Sequence, residues 1–180
     1  METPVELVAL NCIRCGHPIP AEIDEVAWAC EQCEQGQQLG ENGLLSLEIH
    51  YAQEITPNQK GKPFWVCEGR VTLQRDTYGR ARSDKEAQQF WSQPRKFVIP
   101  AFPYPVEKIS ERGLHWLQNP PRLLSGPVAP FEAVTVSVED VRVWAEFLVM
   151  ALEAARKDKV KKIQFNLELS DPQLWILPER

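Results

Sequence analysis

The stretch NCIRCGHPIPAEIDEVAWACEQCEQG, residues 11–36, holds four of the five cysteines in the chain. They form two Cys-x-x-Cys pairs, Cys12/Cys15 and Cys30/Cys33, with fourteen residues between the pairs. Two intervening residues let the backbone fold into a knuckle that aims both sulfurs at one point, and a linker of this length is close to that of known zinc sites. Gly16 follows the first pair, where such a knuckle needs a residue that tolerates a positive φ. The spacing therefore predicts one tetrahedral metal site with four thiolate ligands.

Three other uses of these cysteines compete with zinc. Iron in a rubredoxin-like site would use the same four sulfurs, although nothing else in the chain indicates electron transfer. A thioredoxin-like dithiol would need one pair at the start of a helix that follows a strand. Disulfides would leave one of the five cysteines unpaired, and METPVELVAL at residues 1–10 lacks the features of a secretory signal. We therefore expect a cytoplasmic protein with reduced cysteines.

This segment resembles the zinc ribbons. Cys12-Ile-Arg-Cys15-Gly16 matches the first knuckle of that family, and Cys30-Glu-Gln-Cys33 matches the second. The resemblance implies one structural Zn²⁺ ion held by Cys12, Cys15, Cys30 and Cys33. Zinc ribbons occur in transcription factors, ribosomal proteins, RNA polymerase subunits and adaptor proteins, so the resemblance implies a metal and not an activity. The larger arrangement resembles uncharacterised bacterial proteins with a zinc ribbon in front of an α+β domain.

The chain divides by composition into two parts. Residues 1–43 contain too few apolar side chains for a self-sufficient core. A structural zinc contributes on the order of 10 kcal/mol to the folding of such a module, which would make up for the missing core. The turn-rich stretch 34–43 closes this part. We predict a zinc ribbon over 1–43 and an α+β domain over 44–180.

Alternating apolar residues predict the strands of the larger domain. The segments 45–52 and 64–75 alternate, and the turn cluster between them predicts an antiparallel hairpin with one wet face. The predicted inward residues are Leu45, Leu47, Ile49 and Tyr51 in the first strand, and Trp65, Cys67, Gly69, Val71 and Leu73 in the second. Three prolines limit 95–105 to an edge strand or an irregular crossing of the core. Residues 162–168 alternate again, and Asp171-Pro172 predicts a turn before the final apolar run.

Helical spacing is clearest over 137–157, with Ser137 as the N-cap and Asp140 three residues later. A short helix is expected over 106–118, and either a loop or a short helix over 79–93. The predicted fold class is therefore α+β, in which a small N-terminal zinc ribbon precedes an antiparallel sheet that packs against a long C-terminal helix.

The charge distribution bears on the partner. Residues 1–43 carry eight acids and one base, hence −7, and residues 44–180 carry 17 acids and 19 bases, hence +2. Nucleic-acid binding needs clustered Lys and Arg, which only the short run 157–162 offers. We expect a non-enzymatic zinc-binding adaptor or accessory subunit whose partner is another protein. The alternative is a nucleic-acid-binding zinc-ribbon protein related to transcription or translation.

The remaining residues show no catalytic pattern. Cys67 alternates with large apolar residues, which is typical of a buried small hydrophobe. His17 lies outside the four-cysteine set, His50 falls on the polar face of its predicted strand, and no phosphate-binding loop occurs. An enzyme with a site in the larger domain stays an open alternative. No apolar run reaches the roughly 18 residues that span a bilayer, so we expect no membrane insertion.

Overall fold

The computed structural model describes residues 9–56, 58–78, 81–156 and 160–178. The strands are Ala27–Ala29 (β1), Gly36–Gly40 (β2), Gly43–Ser46 (β3), Ile49–Tyr51 (β4), Lys62–Thr77 (β5), Arg95–Pro100 (β6), Val160–Leu169 (β7) and Gln173–Leu177 (β8). The helices are Ala81–Trp91 (α1), Val106–Gln118 (α2) and Val141–Ala154 (α3), and a 3-10 turn at Val138–Asp140 precedes α3. Two sheets and these helices confirm the α+β class.

The small sheet is an antiparallel meander of β1, β2 and β3. Its register places Trp28 opposite Gln37 and Gln37 opposite Ser46. The predicted single strand over 45–52 is wrong, because β3 belongs to this sheet and β4 to the large one. Alternation reports which residues share a face, but it does not report which sheet receives them. The division of domains at residue 43 stays a prediction.

The large sheet has the strand order β4-β8-β5-β6, and β7 also pairs with β5. The predicted hairpin is wrong, because β4 pairs in parallel with β8, Ile49 opposite Leu174, and not with β5. Both edges of β5 are already taken, by β6 on one side and by β7 and β8 on the other. Of the two alternatives predicted for 95–105, the edge strand is confirmed for Arg95–Pro100, which form β6.

The long strand β5 organises the large sheet. Its predicted inward face is confirmed, since Trp65, Cys67 and Val71 are buried. Along the opposite edge from β6, residues Lys62–Val66 pair with β8 and Gly69–Thr77 with β7. The N–H of Ser170 donates to the carbonyl of Glu68 at 2.8 Å, which carries the ladder from β7 towards β8. Asp171-Pro172 therefore interrupts this edge without reversing the chain, contrary to the predicted turn.

Helix α3 lies on the sheet and contacts both β6 and β7. Its buried residues include Val141, Ala145, Leu148 and Leu152. The predicted N-cap Ser137 instead caps the 3-10 turn, where its Oγ accepts from the N–H of Glu139. The α-helix is therefore shorter than the predicted 137–157, with 14 residues. The lysines of the basic run at 157 and 159 lie outside the described residues.

The other helices complete the core. Helix α2 is confirmed over 106–118, and it approaches α3 closely because a Cβ at Gly113 would lie 2.4 Å from the Leu148 side chain. Helix α1 settles the alternative over 79–93 in favour of a helix. No helix in the described ranges has the length and apolar content required to cross a membrane.

Candidate metal centre

The four cysteines of the two knuckles converge on one point. The Sγ atoms of Cys12 and Cys33 lie 3.6 Å apart, as do those of Cys15 and Cys30. All four sulfurs lie within 4.8 Å of one another. A tetrahedral site with bonds of roughly 2.3 Å has sulfur–sulfur edges of about 3.8 Å. The four cysteines could therefore hold a metal ion, with little movement of the sulfurs.

Disulfides do not fit this arrangement. All five cysteines are free, and 3.6 Å is far longer than the roughly 2.05 Å of a sulfur–sulfur bond. Each of these two 3.6 Å contacts also joins cysteines of different knuckles, and not the two cysteines of one Cys-x-x-Cys pair. A thioredoxin-like dithiol does not fit either, because both pairs lie at turns and neither begins a helix.

Two backbone hydrogen bonds close the turn of the first knuckle. The N–H of Gly16 donates to the carbonyl of Cys12, and the N–H of Cys12 donates to the carbonyl of His17, both at 2.8 Å. Gly16 has the predicted positive φ, 74°. The N–H of Arg14 also points at the Cys12 Sγ, at 3.4 Å, and such an N–H···S contact stabilises a thiolate.

The second knuckle repeats this pattern at Cys30. The N–H of Glu34 donates to the carbonyl of Cys30 at 2.8 Å, and the N–H of Cys30 donates to the carbonyl of Gln35 at 2.9 Å. The residue with positive φ is Glu34, at 60°. Sequence reasoning missed it, although Glu34 follows its cysteine directly, as Gly16 does. Gly36 serves a different purpose, since a Cβ there would lie 2.2 Å from the Leu47 carbonyl oxygen.

The protonation of the cluster favours a bound cation. A hydrogen bond from the Cys15 N–H, reinforced by one from Arg14, lowers the pKa of the Cys12 thiol to about 6. The N–H of Gln35 lowers the pKa of Cys33, but burial and the three neighbouring sulfurs outweigh it and raise that pKa to about 12. Four sulfurs this close cannot all be thiolates without compensation, which a divalent metal supplies.

Gln37 is a site residue that sequence reasoning missed. Its side chain is fully buried on β2, and its Oε1 accepts from the N–H of Ile13 inside the first knuckle at 3.1 Å. Its Nε2 is buried without a hydrogen-bond partner among the described atoms. A polar residue at an inward position of a ribbon strand is the signal that could have identified it.

The other candidate residues lie apart from the cysteine cluster. Cys67 is buried as predicted, and burial raises its pKa to about 12, which disfavours the reactive thiolate form. His50 differs from the prediction, because its ring stacks on Trp175 at 4.9 Å and is largely covered. His17 is exposed, and the contact it makes with the first knuckle is through its carbonyl.

Polar residues of the two strands β4 and β5 line two separate recesses. A recess of about 590 Å³ beside the second knuckle is lined by Glu48, His50 and Tyr51. Glu68 and Arg70 line a separate recess of about 220 Å³. Among the described residues, then, these polar groups face different openings and do not converge.

Comparison with known proteins returns nothing. No protein-family model matches the chain, and no curated protein and no solved structure matches it significantly.

Proposed function

We propose that the chain is a non-enzymatic zinc-binding adaptor or accessory subunit. Cys12, Cys15, Cys30 and Cys33 would hold one structural zinc ion, and another surface of the chain would bind a partner protein. The observation that carries the proposal is the convergence of four sulfurs within 4.8 Å. Four thiolates fill a tetrahedral coordination shell, so no position is left for a substrate or an activated water. The metal would stabilise the fold of the ribbon.

Exposed apolar side chains support a protein partner. On α3, Val143 is 66% exposed and Met150 is 46% exposed, seven residues apart on the same side of the helix. Phe147 lies between them and is half-buried. We call these three residues the α3 stripe; it faces away from the buried side of the helix. Contiguous apolar surface of this kind marks interaction sites in soluble proteins.

The charge of the ribbon supports a protein partner over a nucleic acid. Residues 1–43 carry −7, and a zinc ion with four thiolates adds about −2. In the basic run 157–162, the ammonium of Lys161 already lies 3.5 Å from the carboxylate of Asp76. Backbone phosphates would be repelled by the first surface and held weakly by the second. A cytoplasmic location agrees with five free cysteines.

The first experiment measures metal content after purification without added metal. We expect about one zinc per chain, and about none in a Cys30→Ser/Cys33→Ser variant. Iron with visible absorption would replace zinc in the proposal.

The second experiment tests the partner. A Val143→Asp/Met150→Asp variant should keep its zinc and its fold but lose proteins captured from the native source by the wild-type chain. A Glu107→Lys variant, changed at an exposed residue of α2, should still capture them. Salt-sensitive binding of single- or double-stranded nucleic acid at sub-micromolar concentration would overturn the adaptor proposal in favour of the alternative.

A further inference from the structure

One edge of the large sheet ends in a long strand. β7 has 10 residues, Val160–Leu169, and pairs antiparallel with β5. No other strand in the described part of the chain pairs with β7. A strand of this length with an open edge presents a row of N–H and C=O groups that can template pairing with another strand.

Two hydrogen bonds identify the groups that face outward. The N–H of Ser170 donates to the carbonyl of Glu68, the residue directly opposite it on β5. The backbone N–H and C=O of Ser170 therefore point towards β5. In an antiparallel ladder this orientation recurs at every second residue, which leaves Ile163, Phe165 and Leu167 with their backbone groups turned to the open edge. The Arg142 Nη1 donates to the Leu167 carbonyl at 3.1 Å, and so reaches an outward group from α3.

The exposed face of β5 and β7 carries charges in register. Asp76 lies opposite Lys162, and Arg70 lies opposite Glu168. All four side chains are exposed. Each of these cross-strand pairs therefore joins two opposite charges. At the open edge, β7 presents the positive charge of Lys162 and the negative charge of Glu168. Opposite charges in directly facing positions stabilise a sheet, and like charges destabilise it.

We propose that β7 pairs antiparallel with β7 of a second copy of this chain, about a two-fold axis at Phe165. In this register the outward backbone N–H and C=O groups of Ile163 face those of Leu167 of the second copy. Those of Phe165 face Phe165 of the second copy. On the exposed face it sets Lys162 against Glu168 of the second copy, and Glu168 against Lys162 of the second copy. Each outer row across the four strands then reads acid, base, acid, base: Asp76, Lys162, Glu168 of the second copy and Arg70 of the second copy.

Charge selects this register over its neighbours. An axis at Gln164 would set Lys162 against Asn166 and Glu168 against Val160, so neither charge would face its opposite. An axis at Asn166 would set Lys162 against Ser170 and Glu168 against Gln164. Lysines on an edge strand often oppose pairing, but with the axis at Phe165 each Lys162 faces an acid.

Arg142 is the group that must move. Its guanidinium donates a hydrogen bond to the Leu167 carbonyl. The Arg142 side chain is 55% exposed, however, and it also lies 3.5 Å from the Glu146 carboxylate. On pairing, the Leu167 carbonyl would accept from the Ile163 N–H of the second copy, and Arg142 would keep Glu146. One strand pair buries less than a standard interface, so we expect a dissociation constant in roughly the micromolar range.

The test is sedimentation of the full chain over a concentration series, and it does not depend on the metal or on the partner protein. We expect a monomer–dimer equilibrium. Ile163→Pro removes an outward N–H that has no hydrogen-bond partner among the residues that the structure describes, and should abolish the dimer. Ile163→Ala removes the same side chain but keeps the N–H, and should retain the dimer. A wild-type chain that stays monomeric up to about 100 µM, or a dimer that survives Ile163→Pro, would overturn the proposal.

Charge reversal tests the register. Lys162→Glu and Glu168→Lys should each weaken self-association at least about tenfold, because like charges then face each other twice. Glu107→Lys on α2, which changes the net charge in the same sense and by the same amount as Glu168→Lys, should not. The two reversed variants should associate with each other when mixed, since each charge then faces its opposite. Failure of the mixture to associate would exclude this register. Circular dichroism verifies that each variant is folded.

Discussion

The side chain of Gln37 on β2 holds the backbone of Ile13 in the first knuckle, through an N–H···Oε1 hydrogen bond of 3.1 Å. The two residues are separated by 24 positions, and Gln37 is fully buried. This bond connects the loop that carries Cys12 and Cys15 to the strand that follows the other two cysteines. It therefore helps to determine the distance between the knuckles and hence the size of the metal site.

Replacing Gln37 with Leu should weaken zinc binding. The change leaves the Ile13 N–H without its acceptor, at a cost of about 1–3 kcal/mol. We expect zinc affinity, measured by competition with a chromophoric chelator, to fall about tenfold or more. Gln38→Leu, one position along the same strand, is the matched control and should have little effect. Equal losses in both variants would show that Gln37 has no particular role in positioning the knuckle.

Removing the metal should unfold the ribbon and spare the larger part. The small sheet has few buried apolar residues, and structural zinc contributes on the order of 10 kcal/mol to such a module. Hydrogen exchange after chelation should show lost protection in peptides from 11–46 and retained protection in peptides from β5. Uniform loss of protection across both would mean that the two parts unfold together.

Zinc binding should release protons and weaken as the pH falls. The pKa of Cys33 is raised to about 12 in the metal-free cluster, so this thiol is protonated at neutral pH and must lose its proton to bind zinc. The pKa of Cys12 is about 6, so this thiol adds its own proton to the release only below about that pH. Affinity should fall about tenfold per pH unit for each proton released. Calorimetry in buffers of different ionisation enthalpy measures this number, and a value of zero would contradict the expectation.

The thiol of Cys67 should not react with thiol reagents in the native protein. Its pKa is raised to about 12 by burial, so it has almost no thiolate at pH 8. A thiol reagent should not modify Cys67 until the chain is unfolded. Cys67→Ala should leave the zinc content unchanged and cost about 1 kcal/mol of packing. Rapid modification of the folded, zinc-loaded protein at Cys67 would show that this side chain is accessible.

Glu153 should be a strong determinant of stability. Its buried carboxylate accepts from Trp91 Nε1 at 2.8 Å and lies 3.0 Å from the Nε of Arg75, whose side chain is only 3% exposed. Glu153→Gln removes the charge that compensates this guanidinium and should cost about 3 kcal/mol in urea unfolding. Glu146→Gln, which breaks an exposed pair with Arg142 on the same helix, should cost less than about 1 kcal/mol. Similar costs for both would show that Asp84, the other acid beside Arg75, compensates it alone.

The features that were predictable from the sequence are those with short-range causes. Cys12 and Cys15 face one point because the turn formed by the two residues between them brings them together, and the same holds for Cys30 and Cys33. The buried side of β5 follows from alternation at Cys67, Gly69 and Val71, and that of α3 from spacing at Ala145, Leu148 and Leu152. Each pattern involves residues that are neighbours along the chain, so its physical cause is contained in the local sequence.

The tertiary structure alone decided which elements meet. Residues 45–52 alternate without a break, yet the chain leaves one sheet after Ser46 and enters another at Ile49. β4 pairs with β8, more than a hundred residues away, and Gln37 meets Ile13 across the ribbon. A strand carries the same backbone donors and acceptors whatever its side chains, so local pattern cannot choose its partner. That choice depends on which edges remain open after the apolar faces have packed, and this is a property of the whole chain.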